Sequence, residues 1–326
     1  MRAIVTGGAG FIGSHLIETL LGAGHEVTCL ERPGATRNWV DGLPVDWKPV
    51  GLEDERALRQ TFAGADVVFH LAGLTEAVRP VDLYAVNTEG TARVTRAAAA
   101  FNGSAPHVIL LSSLAAIGPC RNGEALSRDS IPCPLSHYGN SKLLAEAVVH
   151  AFDDRVPATI IRLPTVYGPR EKAVLTLFKM LKRGVGLTIG GWEREASMIY
   201  VKDVVQGLIA AAESERAEGR TYCLAYPTPI CWSELAETAS EVFGRRPRLM
   251  SLPAAAANPI ALCCEAGARM SGKAAILNRD RVRELSQERW VCDPSRAIDE
   301  IGFAPVYPID RGVRETIAWY REEEWL

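Results

Sequence analysis

The 326-residue sequence predicts a doubly wound α/β fold, in which a parallel sheet is covered by helices on both faces. Two observations lead to this prediction. Short runs rich in Val, Ile and Leu alternate with longer segments that have the length and period of helices. The first apolar run also leads straight into a glycine-rich turn that opens a helix. Because strand, helix and parallel strand connect with one hand, this alternation builds a single sheet buried between helical layers.

The elements of the first half can be assigned in order along the chain. Strands are expected at 2–6, 26–30, 66–72, 107–112 and 157–162, and helices at 11–23, 54–63, 80–101 and 137–153. Beyond about residue 165 the alternation loosens, and helical stretches at 171–183, 203–214, 232–243 and 309–322 are separated by turns rich in Gly and Pro. We therefore predict a sheet domain at 1–165 and a smaller lobe at 166–326 that interleaves with it.

Composition excludes several classes of protein. The 36 Lys and Arg residues nearly balance the 39 Asp and Glu residues, so no broad basic face is available to bind nucleic acid. The eight cysteines have neither C-x-x-C spacing nor a Cys/His cluster, which favours reduced thiols in the cytoplasm over disulfides or a metal site. No apolar run reaches the roughly 18 residues of a membrane span. The small, apolar segment 252–270 is expected to form a packed lid helix, with contact to a membrane surface as the alternative.

The turn after the first strand carries the spacing G-x-x-G-x-x-G at Gly7, Gly10 and Gly13. Glycines permit the tight turn and let the backbone approach a pyrophosphate, while the N-terminus of the following helix offers free N–H groups to the anion. A strand before the turn, a helix after it and an acidic residue at the end of the second strand strengthen this interpretation. We therefore identify a Rossmann dinucleotide-binding motif.

The residues after the second strand bear on the choice of cofactor. The carboxylate of Glu31 can accept hydrogen bonds from an adenosine ribose, which favours NAD and repels the 2′-phosphate of NADP. Arg32 and Arg37 point the other way, since either guanidinium can hold that phosphate. NAD is therefore the expected cofactor, and NADP remains open.

A candidate catalytic trio follows the strand at 107–112. Ser112 and Ser113 end that strand, and Tyr138 and Lys142 lie one turn apart on a predicted helix, which places them on one face. An ammonium ion beside a phenol is expected to stabilise the phenolate and to lower the pKa of the phenol. Tyr138 can then exchange a proton with a substrate oxygen that Ser113 also holds, and Lys142 can reach the nicotinamide ribose.

Several segments resemble motifs of one family, the extended short-chain dehydrogenase/reductases, or NAD-dependent epimerase/dehydratase group. The matching segments lie at 6–13, 66–73, 84–91, 113–118, 138–142 and 162–169, so the resemblance extends over nearly the whole chain. The form of segment 162–169 and the apolar segment 252–270 are most similar to the branch of 3β-hydroxysteroid dehydrogenases and dihydroflavonol reductases.

This resemblance implies which residues hold the cofactor and which are catalytic. Phe11 and Ile12 would lie beside the pyrophosphate. The other implied cofactor contacts are Leu52 at the adenine, Leu71, Ala72 and Gly73 beneath the adenosine half, Asn87, Ser112, Tyr138 and Lys142, and Pro164 near the nicotinamide. Ser113, Tyr138 and Lys142 would be the catalytic residues.

The sequence also departs from the family at positions that concern the substrate. Sugar-nucleotide dehydratases of the family carry Asp-Glu where this chain has Leu114 and Ala115, so elimination of water lacks an acid and a base. Ala196 replaces the arginine that binds a diphosphate in the nucleotide-sugar members, and Thr165 replaces their asparagine. Arg194 is the remaining candidate to bind a diphosphate. These departures favour an uncharged, lipophilic substrate.

We therefore predict an NAD(P)-dependent oxidoreductase that transfers a hydride between a nicotinamide and a secondary alcohol or ketone, with the lobe at 166–326 mainly binding the substrate. Two alternatives remain open. One is a UDP-sugar epimerase that retains NAD, and the other is a dinucleotide-binding protein without catalysis. The expected partner is a small molecule, with no nucleic acid and no metal, and a homodimer is a further expectation.

Overall fold

A computed structural model describes residues 1–101, 104–121, 123–275 and 277–326. Its strands are β1 (Arg2–Thr6), β2 (Glu26–Glu31), β3 (Asp46–Pro49), β4 (Val67–His70), β5 (His107–Ser113), β6 (Ala158–Leu163), β7 (Thr165–Tyr167), β8 (Val185–Ile189), β9 (Glu195–Ala196), β10 (Met198–Tyr200), β11 (Arg220–Cys223), β12 (Ile230–Cys231), β13 (Arg248–Leu252) and β14 (Arg289–Trp290).

The helices alternate with these strands along most of the chain. They are α1 (Phe11–Gly22), α2 (Glu55–Phe62), α3 (Pro80–Leu83), α4 (Gly90–Ala99), α5 (His137–His150), α6 (Ala173–Lys182), α7 (Val201–Glu213), α8 (Trp232–Phe243), α9 (Ala254–Ser271), α10 (Arg279–Leu285), α11 (Ser295–Ile301) and α12 (Ile309–Glu322). A π-helical turn at Tyr84–Glu89 joins α3 to α4, so the single helix predicted at 80–101 consists of three pieces.

Seven parallel strands form the central sheet in the order β11-β6-β5-β4-β1-β2-β3. This arrangement confirms the predicted doubly wound fold. The strand order reverses between β1 and β4, and ligands of such sheets bind in the crevice at the carboxyl ends of the strands at that point. Strand β3 was not predicted, because its sequence Asp-Trp-Lys-Pro lies on the exposed edge and lacks an apolar run.

Two apolar layers cover the faces of this sheet. On one face, Leu16 and Ile17 of α1 and Leu208 of α7 are fully buried. On the other face, Leu58 of α2 and Val149 of α5 are fully buried as well. Each face removes a continuous apolar surface from water, which is the main force that stabilises this sheet.

The second half of the chain contributes both to this sheet and to a separate core. Strand β11 and helix α7 join the central sheet and its apolar layer. Helices α6, α8 and α12 enclose a core around Phe178, Tyr200 and Tyr320. The domain boundary at residue 165 stays a prediction.

Helix α9 lies where a packed lid helix was predicted, but it packs only along a narrow stripe. Ala257 and Ala261 are its buried residues, and they contact Ile189 of β8 and Val282 of α10. Small side chains allow this close approach but leave most of the helix surface in water. Among the described residues, no helix combines the length and apolarity that a bilayer-crossing segment needs.

Candidate active site

The glycine turn between β1 and α1 forms a tight cradle at the carboxyl end of the sheet. Gly7 has a φ of 71°, and a Cβ atom there would lie 2.8 Å from the Cα atom of Ala72. A Cβ atom at Gly10 would lie 3.1 Å from the Gly7 carbonyl oxygen, and one at Gly13 would overlap that oxygen. No side chain caps the N-terminus of α1. The cradle therefore fits a phosphate group that accepts from backbone N–H groups.

The acidic residue after β2 lies against this cradle. The backbone N–H of Ala9 donates to Glu31 Oε1 at 2.9 Å, and burial raises the pKa of this carboxyl. Arg32 and Arg37 are exposed, and the Arg37 guanidinium stacks over the ring of Trp47 at 5.3 Å. The carboxylate is thus positioned beside the glycines, whereas the two guanidinium groups lie outside.

The segment after β4 forms the opposite wall of the crevice. The Ala72 N–H donates to Thr6 Oγ1 at 3.2 Å, which holds residues 71–73 against the glycine turn. A Cβ atom at Gly73 would lie 3.0 Å from Asn87 Oδ1 and 3.2 Å from Lys142 Nζ. Gly73 therefore brings the predicted cofactor wall and the predicted catalytic lysine together. Leu52 lies further along this face, near Gly90.

All polar side-chain atoms of Asn87 and His70 take part in hydrogen bonds inside this wall. Asn87 Oδ1 accepts from the Leu74 N–H at 2.8 Å, and its Nδ2 donates to the Leu74 carbonyl and to Ser141 Oγ. His70 lies between the hydroxyls of Thr6 and Thr91, at 2.8 and 3.0 Å, and burial lowers its pKa to about 3. His70 is therefore neutral, and Asn87 joins the wall to α5.

Helix α5 positions the predicted catalytic tyrosine at its first turn. Ser136 caps the helix by accepting from the Gly139 N–H at 3.0 Å. Ser113, at the end of β5, accepts from the Ala115 N–H at 3.1 Å, and its side chain lies close enough to Tyr138 to lower the pKa of that phenol. The structure thus brings Ser113 and Tyr138 together.

The protonation of this site differs from the sequence expectation. Burial raises the pKa of Tyr138 to about 12, although the hydrogen bond from Ser113 acts in the opposite direction. Lys142 Nζ donates to the Leu111 carbonyl at 2.9 Å, and burial lowers its pKa to about 8 while Glu146 opposes this shift. The expected lowering of the pKa of the phenol is therefore wrong, because loss of hydration outweighs the opposing effects of Ser113 and Arg281.

A buried ion pair beneath the site was not found from the sequence. Glu146 of α5 and Arg162 of β6 pair through Nη2 and Oε2 at 2.7 Å, and the Ser112 hydroxyl donates to Glu146 Oε1 at 2.5 Å. The hydroxyl of Ser112 is therefore engaged in the core, and the cofactor contact of this residue stays a prediction. Glu146 lies one helical turn after Lys142, so its spacing from the lysine was the one sequence signal that could have indicated a carboxylate beneath the site.

Helix α10 closes the site from the second half of the chain. The His137 N–H donates to Asp280 Oδ2 at 2.8 Å, and Arg283 donates to the Leu135 carbonyl at 2.7 Å. Glu284 lies near Tyr138, and burial raises its pKa. Within the described residues its Oε1 atom is buried without a hydrogen-bond partner. Glu284 was not predicted from the sequence, because nothing local marks a residue that a distant helix brings to the site.

The positions that concern the substrate follow the carboxyl end of β6 or lie at β9. Pro164 separates β6 from β7, which begins at Thr165. Ala196 is buried and pairs with Ile230. Arg194 donates to the Gly191 carbonyl at 2.7 Å and to Thr188 Oγ1 at 2.6 Å, so two of its nitrogens are already occupied within its own loop. The Nε and Nη2 atoms of Arg194 are therefore not free to replace the missing arginine fork.

Comparison with known proteins places these features in a family. Residues 3–225 match the model of the NAD dependent epimerase/dehydratase family. The chain is 29% identical to a ceramide reductase of Caulobacter vibrioides, over 99% of this chain and 95% of that protein. It is 27% identical to 3beta-hydroxysteroid-dehydrogenase/decarboxylase isoform 1 of Arabidopsis thaliana, over 96% and 78% of the two chains. The structure of Thermus thermophilus UDP-glucose 4-epimerase in complex with NAD superposes with a TM-score of 0.79 at 24% identity, over 98% and 99%.

Proposed function

Because the chain belongs to the NAD dependent epimerase/dehydratase family, we propose that it reduces a lipid-like ketone to a secondary alcohol and that it also catalyses the reverse reaction. The observation that carries this proposal is that Tyr138 lies near Ser113 on the helix whose Lys142 reaches Gly73 in the wall of the dinucleotide cradle. Two hydroxyls that share one position can bind a single carbonyl oxygen and supply its proton.

The cofactor is NAD, as the family and the fit of the cradle agree. The residues that would hold it are the three glycines of the turn, the wall at 71–73, Glu31 and Lys142. When bound, NAD would accept a hydride from an alcohol, and its reduced form NADH would supply a hydride to a ketone. Glu31 favours NAD over NADP because its carboxylate repels a 2′-phosphate.

Tyr138 serves as the proton donor in this proposal. With a pKa of about 12 the side chain is a neutral phenol at pH 7, so it carries the proton that a carbonyl oxygen needs as it becomes a hydroxyl. Ser113 orients the same oxygen. Lys142, with a pKa of about 8, is still charged near pH 7 and attracts negative charge that develops on the phenol.

The substrate class is inferred from the two positions that mark nucleotide-sugar binding in the family. Two nitrogens of Arg194 are occupied within its own loop and Ala196 has no polar group, so neither residue would compensate a diphosphate for its lost hydration. The relatives named a ceramide reductase and a 3β-hydroxysteroid dehydrogenase support a lipid-like substrate.

The test measures oxidation of NADH with a panel of long-chain ketones and ketosteroids, and with UDP-glucose. Turnover of at least one lipid-like ketone, absent in Tyr138→Phe, supports the proposal. Conversion of UDP-glucose to UDP-galactose without net change in NADH would instead establish the epimerase. Binding of NAD without turnover of either class would contradict both. The homodimer and the cytoplasmic location stay predictions.

A further inference from the structure

Helix α9 exposes apolar side chains where a surface helix ordinarily exposes polar ones. Ile260, Leu262 and Met270 are 47%, 55% and 90% exposed. Between residues 254 and 268 the only charged residue is Glu265, and its carboxylate pairs with Arg279 at 3.1 Å. A helix that packs on a protein core directs its apolar side inward. Helix α9 therefore presents to solvent the kind of surface that normally lies inside.

The two-stranded sheet beside α9 extends this surface. Leu187 of β8 and Met250 of β13 are partners in the parallel register, so they lie on one face, and both are exposed. At the other end of the same strands, Ile189 and Leu252 pack against Ala257 of α9. We use the name apolar face for the exposed side chains of Leu187, Met250, Ile260, Leu262 and Met270.

Positive charge surrounds the apolar face. Segment 245–275 contains five exposed cations and a single acid, Glu265, in a chain whose net charge is −3. The cations are Arg245, Arg246 and Arg248 beside the sheet, and Arg269 and Lys273 at the end of α9. An apolar surface with a basic rim is complementary to a layer that has an apolar interior and anionic headgroups.

The apolar face is also connected to the catalytic helix. Helix α9 packs on α10, and Ala261 and Val282 belong to the apolar cluster that the two helices share. Asp280 of α10 in turn accepts a hydrogen bond from the backbone N–H of His137, which is the residue before Tyr138. A ligand that reaches the apolar face therefore lies one packed helix away from the proton donor.

We propose that the apolar face docks this protein on the surface of an anionic phospholipid bilayer, with α9 lying in the plane of the headgroups. A second copy of the chain is a poorer occupant, because a symmetric contact would place the basic rims of two copies against each other. This inference goes beyond the proposed function, since docking requires neither a cofactor nor turnover.

Vesicle sedimentation tests the docking directly. The wild-type protein should sediment with vesicles made of equal parts phosphatidylglycerol and phosphatidylcholine, and much less with phosphatidylcholine alone. Each cation near an anionic surface strengthens binding about fivefold. The variant Arg245→Gln/Arg246→Gln/Arg248→Gln should therefore bind on the order of 100-fold more weakly. Added salt should weaken the wild type in the same direction.

The apolar contribution is tested by Ile260→Glu/Leu262→Glu, which should remove vesicle binding. The matched control is Ile298→Glu, an exposed apolar residue on α11, which should bind as the wild type does. Both side chains of the double variant face water, so thermal melting should show that it remains folded. A wild-type protein that stays in the supernatant would overturn the proposal, as would a double variant that binds vesicles unchanged.

Two further outcomes are separable from these. If analytical ultracentrifugation shows a dimer that Ile260→Glu/Leu262→Glu dissociates, and vesicles bind neither protein, then the apolar face is a contact between copies and the docking proposal is wrong. Because sedimentation is measured without substrate, vesicle binding and reduction of ketones can succeed or fail independently.

Discussion

The glycine turn and helix α9 are both rich in small residues, but the small residues have opposite roles in the two regions. In the turn, a Cβ atom at Gly13 would overlap the Gly7 carbonyl oxygen, so only glycine fits. In α9, a Cβ atom at Gly267 would meet nothing within 4 Å. Small residues in the turn bring backbone segments together around a ligand site, whereas in α9 they leave the helix thin and exposed.

The same contrast holds for charge. Glu146 and Arg162 pair in the core beneath the catalytic helix, at 3% and 7% side-chain exposure, and their removal from water makes each depend on the other. Glu265 of α9 and Arg279 of α10 pair near the surface, and the Arg279 side chain is 56% exposed, so water screens this pair more. An interaction of similar geometry therefore has different consequences in the two regions.

The largest expected effect tests this difference in charge. Glu146→Gln leaves the Arg162 guanidinium buried without a counter-ion and should lower the free energy of unfolding by about 3–5 kcal/mol. Glu265→Gln, the matched change at the surface, should alter it little. Urea denaturation of both variants measures the two values. Equal losses of unfolding free energy in the two variants would show that burial does not make the Glu146–Arg162 pair more important for stability than the Glu265–Arg279 pair.

The next prediction compares how a substitution in the catalytic helix and one in the apolar face change kcat. Tyr138→Phe removes the transferable proton and keeps the ring, so kcat should fall on the order of 100-fold or more while NAD affinity changes little. Leu262→Glu should leave kcat for a short, water-soluble ketone unchanged, because this side chain lies outside the site. Steady-state kinetics and calorimetric titration of NAD provide the readouts. Near-normal turnover by Tyr138→Phe would remove Tyr138 from the mechanism.

The third prediction concerns pH and the buried lysine. The pKa of Lys142 is about 8 in the folded protein and 10.5 when unperturbed, so between these values the unfolded chain binds more protons. Stability from this group therefore rises with pH. Between pH 8 and 10 the wild type should gain about 2 kcal/mol relative to Lys142→Met.

Denaturation of the two proteins at several pH values measures that gain. A parallel pH dependence of the wild type and Lys142→Met would show that the ammonium ion is hydrated and not buried. The difference between the proteins cancels the titration of other groups, including Tyr138, whose raised pKa acts in the opposite direction above pH 10.

The smallest effects compare the glycines themselves. Gly13→Ala should destabilise the fold by about 1–3 kcal/mol through overpacking and should weaken NAD binding, because α1 must move away from the turn. Gly267→Ala lies in open space within a helix and should stabilise the protein by up to about 1 kcal/mol. Thermal melting with and without NAD tests both changes. A tolerated alanine at residue 13 would contradict the cradle geometry.

Much of the glycine turn and of the catalytic helix could be predicted from the sequence, because the signals that mark them are local. Glycine spacing, an acidic residue after β2 and the i, i+4 spacing of Tyr138 and Lys142 are all contained within one or two elements. Edge strand β3 and the strand β11 escaped prediction, since neither carries a long apolar run. The direction of the Tyr138 pKa shift was also wrong, because the degree of burial depends on what packs over the helix.

The sequence by itself determined three features: the alternation of strands and helices in the first half of the chain, the dinucleotide turn, and the candidate hydroxyl and ammonium groups of the site. It could do so because periodicity and glycine geometry act over a few residues. Only the tertiary structure decided that Arg162 neutralises Glu146, that Glu284 reaches the neighbourhood of Tyr138, and that α9 turns its apolar side to water. These outcomes depend on which distant surfaces meet. Desolvation, which sets the pKa values and the exposed surface, is a property of that packing and not of any short segment.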